Sequence, residues 1–276
     1  MKILVVVHGF LGDILLSQPA AKLLKEEGQA TQVDFLIGFP QPYLLLDNNP
    51  YIDNVFLSKN VGQTPQYDHL KDKYDDIRVV KNYDGSSPLS IHHQLSVGVK
   101  NPTASYEIYT LPKYDEHIKK EFSKLSSKPI IGVGLTWKVS SRGEHFPSNT
   151  LIKHLSKKYH IVSIGRLPSN SQLSIAKNEQ SELTYAFEAS KCKYVDIMLG
   201  SEGGLTNLAA GVGTKVIYTT DFMWNLAGPN GTHYQHPNPL EILGPKAYFA
   251  DKDHIALPYD IQPKKYIETI LDDIYK

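Results

Sequence analysis

Short runs of apolar residues alternate with amphipathic segments along the chain, the pattern expected of a protein built from repeated strand and helix pairs. Residues 3–7 form a continuous apolar run rich in β-branched side chains, which predicts a parallel strand buried on both faces. Gly9 and Gly12 then predict a turn, and Asp13 stands where the N-cap of the following helix is expected. A single carboxylate therefore lies at the first junction between strand and helix.

The alternation predicts two strand and helix series, separated by a polar break near residues 126–129. In the first half we expect an exposed polar excursion at 58–74, strands at 32–37, 54–57 and 76–80, and helices at 42–47, 87–99 and 114–125. In the second half we expect strands at 130–135, 161–164, 194–199 and 215–219, and helices at 148–158, 182–190, 205–210 and 263–275. This pattern predicts an α/β protein with two doubly wound, Rossmann-like domains, residues 1–126 and 127–276.

The composition of the chain limits the classes of protein to which it can belong. The content of 41% hydrophobic and 21% charged residues is typical of a folded soluble protein. No apolar run approaches the length of a membrane span and there is no basic, apolar leader, so we expect a cytoplasmic protein. Lys plus Arg and Asp plus Glu both number 29, which gives no overall attraction to nucleic acid or to an anionic membrane. The single cysteine, Cys192, excludes an internal disulfide and is predicted to be structural.

Two loops of the second half have the composition of an anion-binding site. Gly203 and Gly204 precede a helix that begins near Leu205, where unpaired amides and the helix dipole favour a phosphate, although a plain tight turn explains two glycines equally well. The loop after strand 130–135 supplies the polar and cationic side chains of Thr136, Lys138, Ser141, Arg142 and His145. These suit a diphosphate, and the alternative is that they are solvated loop residues.

Other patterns point to no chemistry. Residues 251–253 match a bare D-x-D without strand context, and His92 and His93 lack further ligands at metal spacing. The dinucleotide-binding glycine fingerprint, the phosphate-loop lysine motif and the hydrolase nucleophile elbow do not occur in the sequence. We therefore expect no metal site, and nucleophilic serine chemistry is not supported.

Four segments together resemble a known family. Gly12-Asp13 followed by Ile-Leu-Leu-Ser-Gln-Pro-Ala at 14–20, and Asn-Pro-Tyr-Ile-Asp at 49–53, are similar to segments of the heptosyltransferase-like glycosyltransferases of family 9. Residues 201–210 resemble the family's D-[ST]-G-[LM]-x-H-L-A-A segment, and residues 145–147 resemble the end of its K-x-W-P segment. The chain departs from the family at Glu202, Gly203 and Asn207, where the family has Asp, Ser or Thr, and His. The family's lysine is out of register, so Lys138 or Arg142 would replace it.

The resemblance implies a shortened, divergent member with the GT-B fold, in which two doubly wound domains face each other across a cleft. Residues 1–126 would bind the acceptor and 127–276 a nucleotide-diphosphate sugar, with the terminal helix 263–275 packing back on the first domain. Asp13 would act as general base in an inverting transfer that needs no metal. His8 and Gly12 would lie on the acceptor side, and the donor would be held by Thr136, Lys138, Ser141, Arg142, Glu202, Gly203, Gly204 and Asn207.

The sequence does not identify the acceptor, and it is compatible with more than one reaction. The acceptor would be a glycan, a lipid-linked saccharide or modified DNA, since some bacteriophage enzymes of this fold transfer sugars to hydroxymethylated bases. A second alternative is a sugar-nucleotide epimerase of the same fold. A third is a non-catalytic nucleotide-sugar-binding protein in which Asp13 is only a helix cap.

Overall fold

Four parallel strands form the first sheet, in the order β3-β2-β1-β4. The strands are β1 (Lys2–Val7), β2 (Gln32–Ile37), β3 (Asn54–Leu57) and β4 (Asp76–Val79). Five of the six residues of β1 are buried, because the strand lies in the middle of the sheet and is covered on both faces. In this computed structural model, placement is described for residues 1–58, 65–81, 89–103, 105–125, 127–134, 149–165, 185–201, 203–220, 254–258, 267, 271, 272 and 275.

The helices of the first half connect these strands. They are α1 (Leu11–Ser17), α2 (Pro19–Glu26), α3 (Tyr43–Asp47), α4 (Leu89–Ser96) and α5 (Pro112–Phe122), with a 3₁₀ helix at Asp68–Lys73. Proline occupies the first position of α2, where its missing N–H removes no helical hydrogen bond, so α1 and α2 follow one another with only Gln18 between them. The carboxyl end of β1 therefore leads directly into a helical segment that covers the sheet.

A second parallel sheet follows, in the order β6-β5-β7-β8-β9. Its strands are β5 (Ile130–Gly134), β6 (His160–Ile164), β7 (Ile197–Ser201), β8 (Lys215–Thr220) and β9 (Ile255–Pro258), and its helices are α6 (Asn149–Leu155), α7 (Tyr185–Lys193) and α8 (Gly204–Gly211). The α/β prediction is confirmed. Strand β9 was missed because an apolar run of four residues that ends in proline resembles a loop; as the edge strand it tolerates that proline.

Buried residues of the two halves form one continuous cluster where α1 meets α8. Leu11 and Leu15 of α1 share this cluster with Leu205 and Leu208 of α8. Ile108 belongs to it too, and its backbone N–H donates to the Gly211 carbonyl over 2.8 Å. The first and second halves are therefore joined by a common apolar interior along α1 and α8.

The described residues at the end of the chain pack on the second half. The sequence predicts that helix 263–275 packs back on the first domain, and most of that segment lies outside the described residues. Ile267 and Leu271 are fully buried in the apolar cluster of the second sheet. Asp272 and Tyr275 also contact that half, through Lys158 and Tyr159. Apolar spacing predicted the burial of Ile267 and Leu271, but it does not specify which sheet covers them.

Candidate functional site

Asp13 lies at the third position of α1, whose N-cap is Phe10, so the prediction that Asp13 is itself the N-cap is wrong. The carboxylate nevertheless serves the helix end, since its Oδ2 accepts the backbone N–H of Phe10 over 3.0 Å. Its side chain is 36% exposed. One carboxylate oxygen is thus held by the backbone while part of the group faces solvent, so capping and chemistry are compatible at this position.

The turn before α1 is shaped around that carboxylate. Gly9 has φ +103°, a conformation that side-chain-bearing residues rarely adopt. A Cβ at this position would also lie 2.3 Å from Asp13 Oδ2, far inside van der Waals contact. Glycine is required here for both reasons, which explains why the sequence changes from a β-branched strand to glycine immediately before the helix.

The N-terminal turns of α1 and α8 touch. A Cβ on Gly204 would lie 2.8 Å from Leu11 Cβ, and a Cβ on Gly12 would lie 3.0 Å from Asn207 Nδ2. The structure therefore brings Gly12 of the first half together with Gly204 and Asn207 of the second, and Asp13 lies one residue beyond this contact. Because both helices present their positive ends here, an anionic group is favoured near the junction.

Not all amides at the start of α8 are open to a ligand. The Gly203 N–H already donates to Thr206 Oγ1 over 3.0 Å, and that hydroxyl is completely buried. The amides that remain for a phosphate are those of Gly204, Leu205 and Thr206, because the Asn207 N–H already donates to the Gly203 carbonyl over 3.0 Å. The expected diphosphate contact at Gly203 is therefore occupied by the helix itself.

Asn207 links the junction to the first half of the chain. Its side chain is 4% exposed, and its Oδ1 has no hydrogen-bond partner among the described residues. Its backbone carbonyl accepts the Tyr106 hydroxyl over 2.5 Å, and burial raises the pKa of that phenol well above its usual range. Tyr106 therefore acts here as a neutral hydrogen-bond donor that fixes α8 against the first half.

His93 is a neighbour of Asp13 that the sequence did not reveal. It lies on α4, its side chain is 3% exposed, and its Nε2 is 3.4 Å from Asp13 Oδ1. In the sequence, His92 and His93 lack further ligands at metal spacing, and no sequence signal shows that α4 packs against α1. His8, predicted on the acceptor side, follows β1 and is half-buried, and its buried Nδ1 has no partner in the described part of the chain.

The Asn-Pro-Tyr-Ile-Asp segment holds the scaffold. Asn49 Nδ2 donates to Gln18 Oε1 over 3.1 Å, and Asn49 Oδ1 accepts the Tyr51 N–H over 3.0 Å. Asp53 accepts the Val33 N–H over 2.7 Å and pairs with Lys25 at 2.8 Å. This segment therefore fixes the entry to β3 rather than contacting the Asp13 junction.

Several predicted site residues lie outside the described residues. These are Thr136, Lys138, Ser141, Arg142, His145 and Glu202, together with the D-x-D at 251–253.

Within the described ranges, no group of three His, Cys, Asp or Glu side chains could hold a metal ion. None of the helices in those ranges has the length and apolar character needed to cross a membrane. Burial raises the pKa of the Cys192 thiol well above its usual range, which fits a structural cysteine.

No protein-family model and no curated protein sequence matches this chain. Solved structures do. ADP-heptose LPS heptosyltransferase II of E. coli is 14% identical, covers 99% of this chain and 98% of its own, and has a TM-score of 0.65. A family 9 glycosyltransferase of Veillonella parvula is 12% identical, covers 98% and 89%, and has a TM-score of 0.63.

A third structure is the dodecameric iron-containing heptosyltransferase TibC of enterotoxigenic E. coli in complex with ADP-D-beta-D-heptose. It is 12% identical to this chain, covers 99% of this chain and 77% of its own, and has a TM-score of 0.59. At these identities the likeness shows the fold. The expected resemblance to heptosyltransferase-like glycosyltransferases is thereby confirmed in the architecture of the chain.

Proposed function

We propose that this protein is an inverting glycosyltransferase that moves a sugar from a nucleotide-sugar donor to an acceptor hydroxyl. The observation that carries the proposal is the position of Asp13: a partly exposed carboxylate on the first turn of α1, beside the first turn of α8. The fold shared with heptosyltransferase II and TibC supports the same reaction class. In this proposal residues 1–126 bind the acceptor and residues 127–276 the donor.

Asp13 would act as general base. The acceptor hydroxyl would give its proton to the carboxylate while the hydroxyl oxygen forms a bond to the anomeric carbon of the donor sugar. The bond from that carbon to the diphosphate would break on the opposite face, and its electron pair would leave with the nucleoside diphosphate. The Phe10 N–H on Oδ2 would keep the carboxylate oriented through the step.

The leaving diphosphate would be held by side chains and amides of the second half. Lys138 and Arg142 would supply positive charge, and Thr136 and Ser141 would supply hydroxyl donors. The amides of residues 204–206 would supply the helix N-terminus. Glu202 would bind a sugar or ribose hydroxyl, because its charge repels a diphosphate. This set neutralises the leaving group without a metal.

The need for a metal can be tested directly, because TibC is described as iron-containing. We expect transfer by this protein to survive dialysis against a chelator, with no gain on addition of Fe²⁺, Mg²⁺ or Mn²⁺. A loss of transfer that only one of these ions restores would overturn the metal-independent part of the proposal and leave the rest in place.

The donor is the first unknown to resolve. TibC was solved with ADP-D-beta-D-heptose, so we propose that ADP-heptose be tested first, then the UDP-, GDP-, CMP- and dTDP-sugars. A nucleotide sugar at a hundred times its dissociation constant should stabilise the fold by about 2.7 kcal/mol, which a thermal shift detects. If no nucleotide sugar shifts the melting temperature, the proposed function is wrong.

Variants test where the donor binds. Arg142→Ala and Lys138→Ala should each reduce the thermal shift that the active nucleotide sugar produces. Lys157→Ala, which removes a charge from the exposed surface, is the matched control and should leave that shift unchanged.

Product analysis with and without acceptor then identifies the reaction. Transfer with inversion at the anomeric carbon supports the proposal, an altered sugar nucleotide formed without acceptor identifies an epimerase, and binding with no turnover identifies a non-catalytic binding protein.

A further inference from the structure

The side chain next to Asp13 on the protein side is a buried histidine. His93 lies on α4, which packs against α1 and α2, and its Nε2 is 3.4 Å from Asp13 Oδ1. This distance is longer than a good hydrogen bond. Contacts to a catalytic group are often long in an unliganded enzyme and shorten when substrate binds, so the separation is within reach of a functional contact.

Neither ring nitrogen of His93 has a hydrogen-bond partner in the described part of the chain. A buried polar atom without a hydrogen-bond partner lowers the stability of the fold by about 1–3 kcal/mol. A buried histidine with two such nitrogens therefore needs an explanation. Its position beside the carboxylate of Asp13 supplies one. Replacing it by an apolar side chain of similar size would remove that cost, but it would also remove the polar group that faces Oδ1 within the described part of the chain.

The charged residues of the neighbouring elements are engaged elsewhere. On α2, Lys22 pairs with Glu26, and Lys25 pairs with Asp53. On α4 itself the nearest titratable ring is that of His92, whose centroid is 6.0 Å from that of His93. Among the described residues, Asp13 is therefore the charged group that faces His93.

The two oxygens of the Asp13 carboxylate have different neighbours. Oδ2 accepts the Phe10 N–H at 3.0 Å, and Oδ1 faces His93 Nε2. When each oxygen accepts a hydrogen bond, the orientation of the carboxylate is fixed. When only one oxygen accepts, the carboxylate can still rotate about that single hydrogen bond. His93 can supply the second donor only if Nε2 carries the ring proton.

We propose that His93 is a positioning residue for sugar transfer: in its Nε2–H tautomer it holds Asp13 Oδ1, so that the carboxylate presents its exposed side to the acceptor hydroxyl. The inference rests on the proposed function for the reaction step, but the contact itself can be tested without activity. His93 exchanges no proton in this role, and the acceptor proton still goes to Asp13.

The tautomer of His93 is the first test. Ring ¹⁵N spectra of histidine-labelled protein should show His93 with a protonated Nε2. In Asp13→Asn, the amide oxygen must take over the Phe10 N–H, so the amide nitrogen turns toward His93. Because that group is a donor, the ring should switch to the Nδ1–H tautomer. The same tautomer in both proteins would overturn the inference.

Kinetics provide the second test. His93→Leu should lower kcat about ten- to hundredfold by releasing one side of the carboxylate, with little change in KM for the nucleotide sugar. His93→Gln, whose amide can still donate to Oδ1, should recover much of that loss. His92→Gln is the control on the same helix and should leave kcat unchanged. Each variant is compared at a temperature at which its circular dichroism shows it to be folded.

The outcomes separate this inference from the proposed function. If His93→Leu turns over like the wild type, or if the Gln and Leu variants lose kcat equally, His93 is a packing residue and the inference fails while the transferase survives. If no donor is turned over but the tautomer switches in Asp13→Asn, the contact is real and the proposed function is what fails.

Discussion

The loop after β1 is built around one carboxylate. Asp13 caps the backbone of Phe10, and Gly9 leaves the room that its Oδ2 occupies. The position of a catalytic candidate is thus set by the same hydrogen bond that begins the helix. A substitution that displaces the Asp13 carboxylate should also disturb the start of α1. Changes at Gly9 should therefore lower both the free energy of unfolding and the activity.

A substitution at Gly9 tests this coupling. Gly9→Ala should lower the free energy of unfolding by about 2–4 kcal/mol, since it adds a strained φ and a contact of 2.3 Å with Asp13 Oδ2. Gly28→Ala is the control: its φ is +69°, but nothing lies within 4 Å of the added Cβ. Only the backbone cost of about 1–2 kcal/mol should appear there. Urea unfolding measures both, and equal losses would show that the carboxylate does not crowd Gly9.

The contact between α1 and α8 depends on the missing side chain of Gly204. Added as Ala, its Cβ would approach Leu11 Cβ to 2.8 Å. We expect Gly204→Ala to cost about 1–3 kcal/mol by overpacking. Leu11→Ala should cost about 2–5 kcal/mol by leaving a cavity, because Leu11 is 5% exposed.

The two changes should compensate in part in the double variant. Leu11→Ala removes Cδ2 and Cγ, which would lie 2.8 and 2.9 Å from the added methyl group, and keeps only the Cβ contact. The loss of stability in Leu11→Ala/Gly204→Ala should therefore be smaller than the sum of the single losses by about 1 kcal/mol or more. Additive losses would mean that the two helices do not touch at these residues in solution.

A polar cluster joins α5 to α7. Asp115 accepts hydrogen bonds from Lys193 at 2.6 Å, Ser190 at 2.7 Å and Thr110 at 2.8 Å. Partial burial raises the pKa of Asp115, but these hydrogen bonds outweigh it and the pKa lies below the usual range. The charged form is therefore stabilised by folding, and its contribution is present above the unfolded-state pKa of about 4 and lost as pH falls through the lower folded-state value.

This cluster gives a pH-dependent prediction. Asp115→Asn should reduce the free energy of unfolding by about 1–2 kcal/mol at pH 7, and its difference from the wild type should shrink as pH falls below about 4. The control on the same helix is Glu121→Gln, because Glu121 pairs with Lys124 on the exposed surface and its loss should be negligible. Denaturant unfolding across this pH range checks both, and a pH-independent loss in Asp115→Asn would contradict the assignment.

Across the whole molecule, the local sequence pattern predicted the positions of the first strands more accurately than the helix caps and the contacts between distant segments. The bounds of β1, β2 and β3 were predicted to within a residue, because β-branched and other apolar residues predominate in each strand and polar residues flank it. The Asp13 loop was recognised, but its cap was misplaced by three residues, because Phe10 takes the N-cap position without a capping side chain. The Asp13 side chain still caps the helix end, but it does so from the third helical position, where its carboxylate accepts the Phe10 N–H.

Long-range partners could not be predicted in the same way. The approach of His93 to Asp13 and the burial of Ile267 in the second sheet join residues far apart in the chain, and periodicity along one segment does not specify the segment that covers it. The pairing of Gly204 with Leu11 was also invisible, since glycine signals a turn and a close approach alike. Sequence therefore predicted the candidate base and one helix end near it, and tertiary contacts added the histidine.

The assignment of Asp13 as the base is tested most directly by separating donor binding from transfer. Asp13→Asn keeps the size of the side chain and an oxygen for the Phe10 N–H. It should bind the active nucleotide sugar with the same thermal shift as the wild type, yet lose about a hundredfold or more in kcat. Asp72→Asn, the same change on the exposed surface, is the matched control and should transfer at the wild-type rate. Transfer by Asp13→Asn at the rate of the control would contradict the assignment.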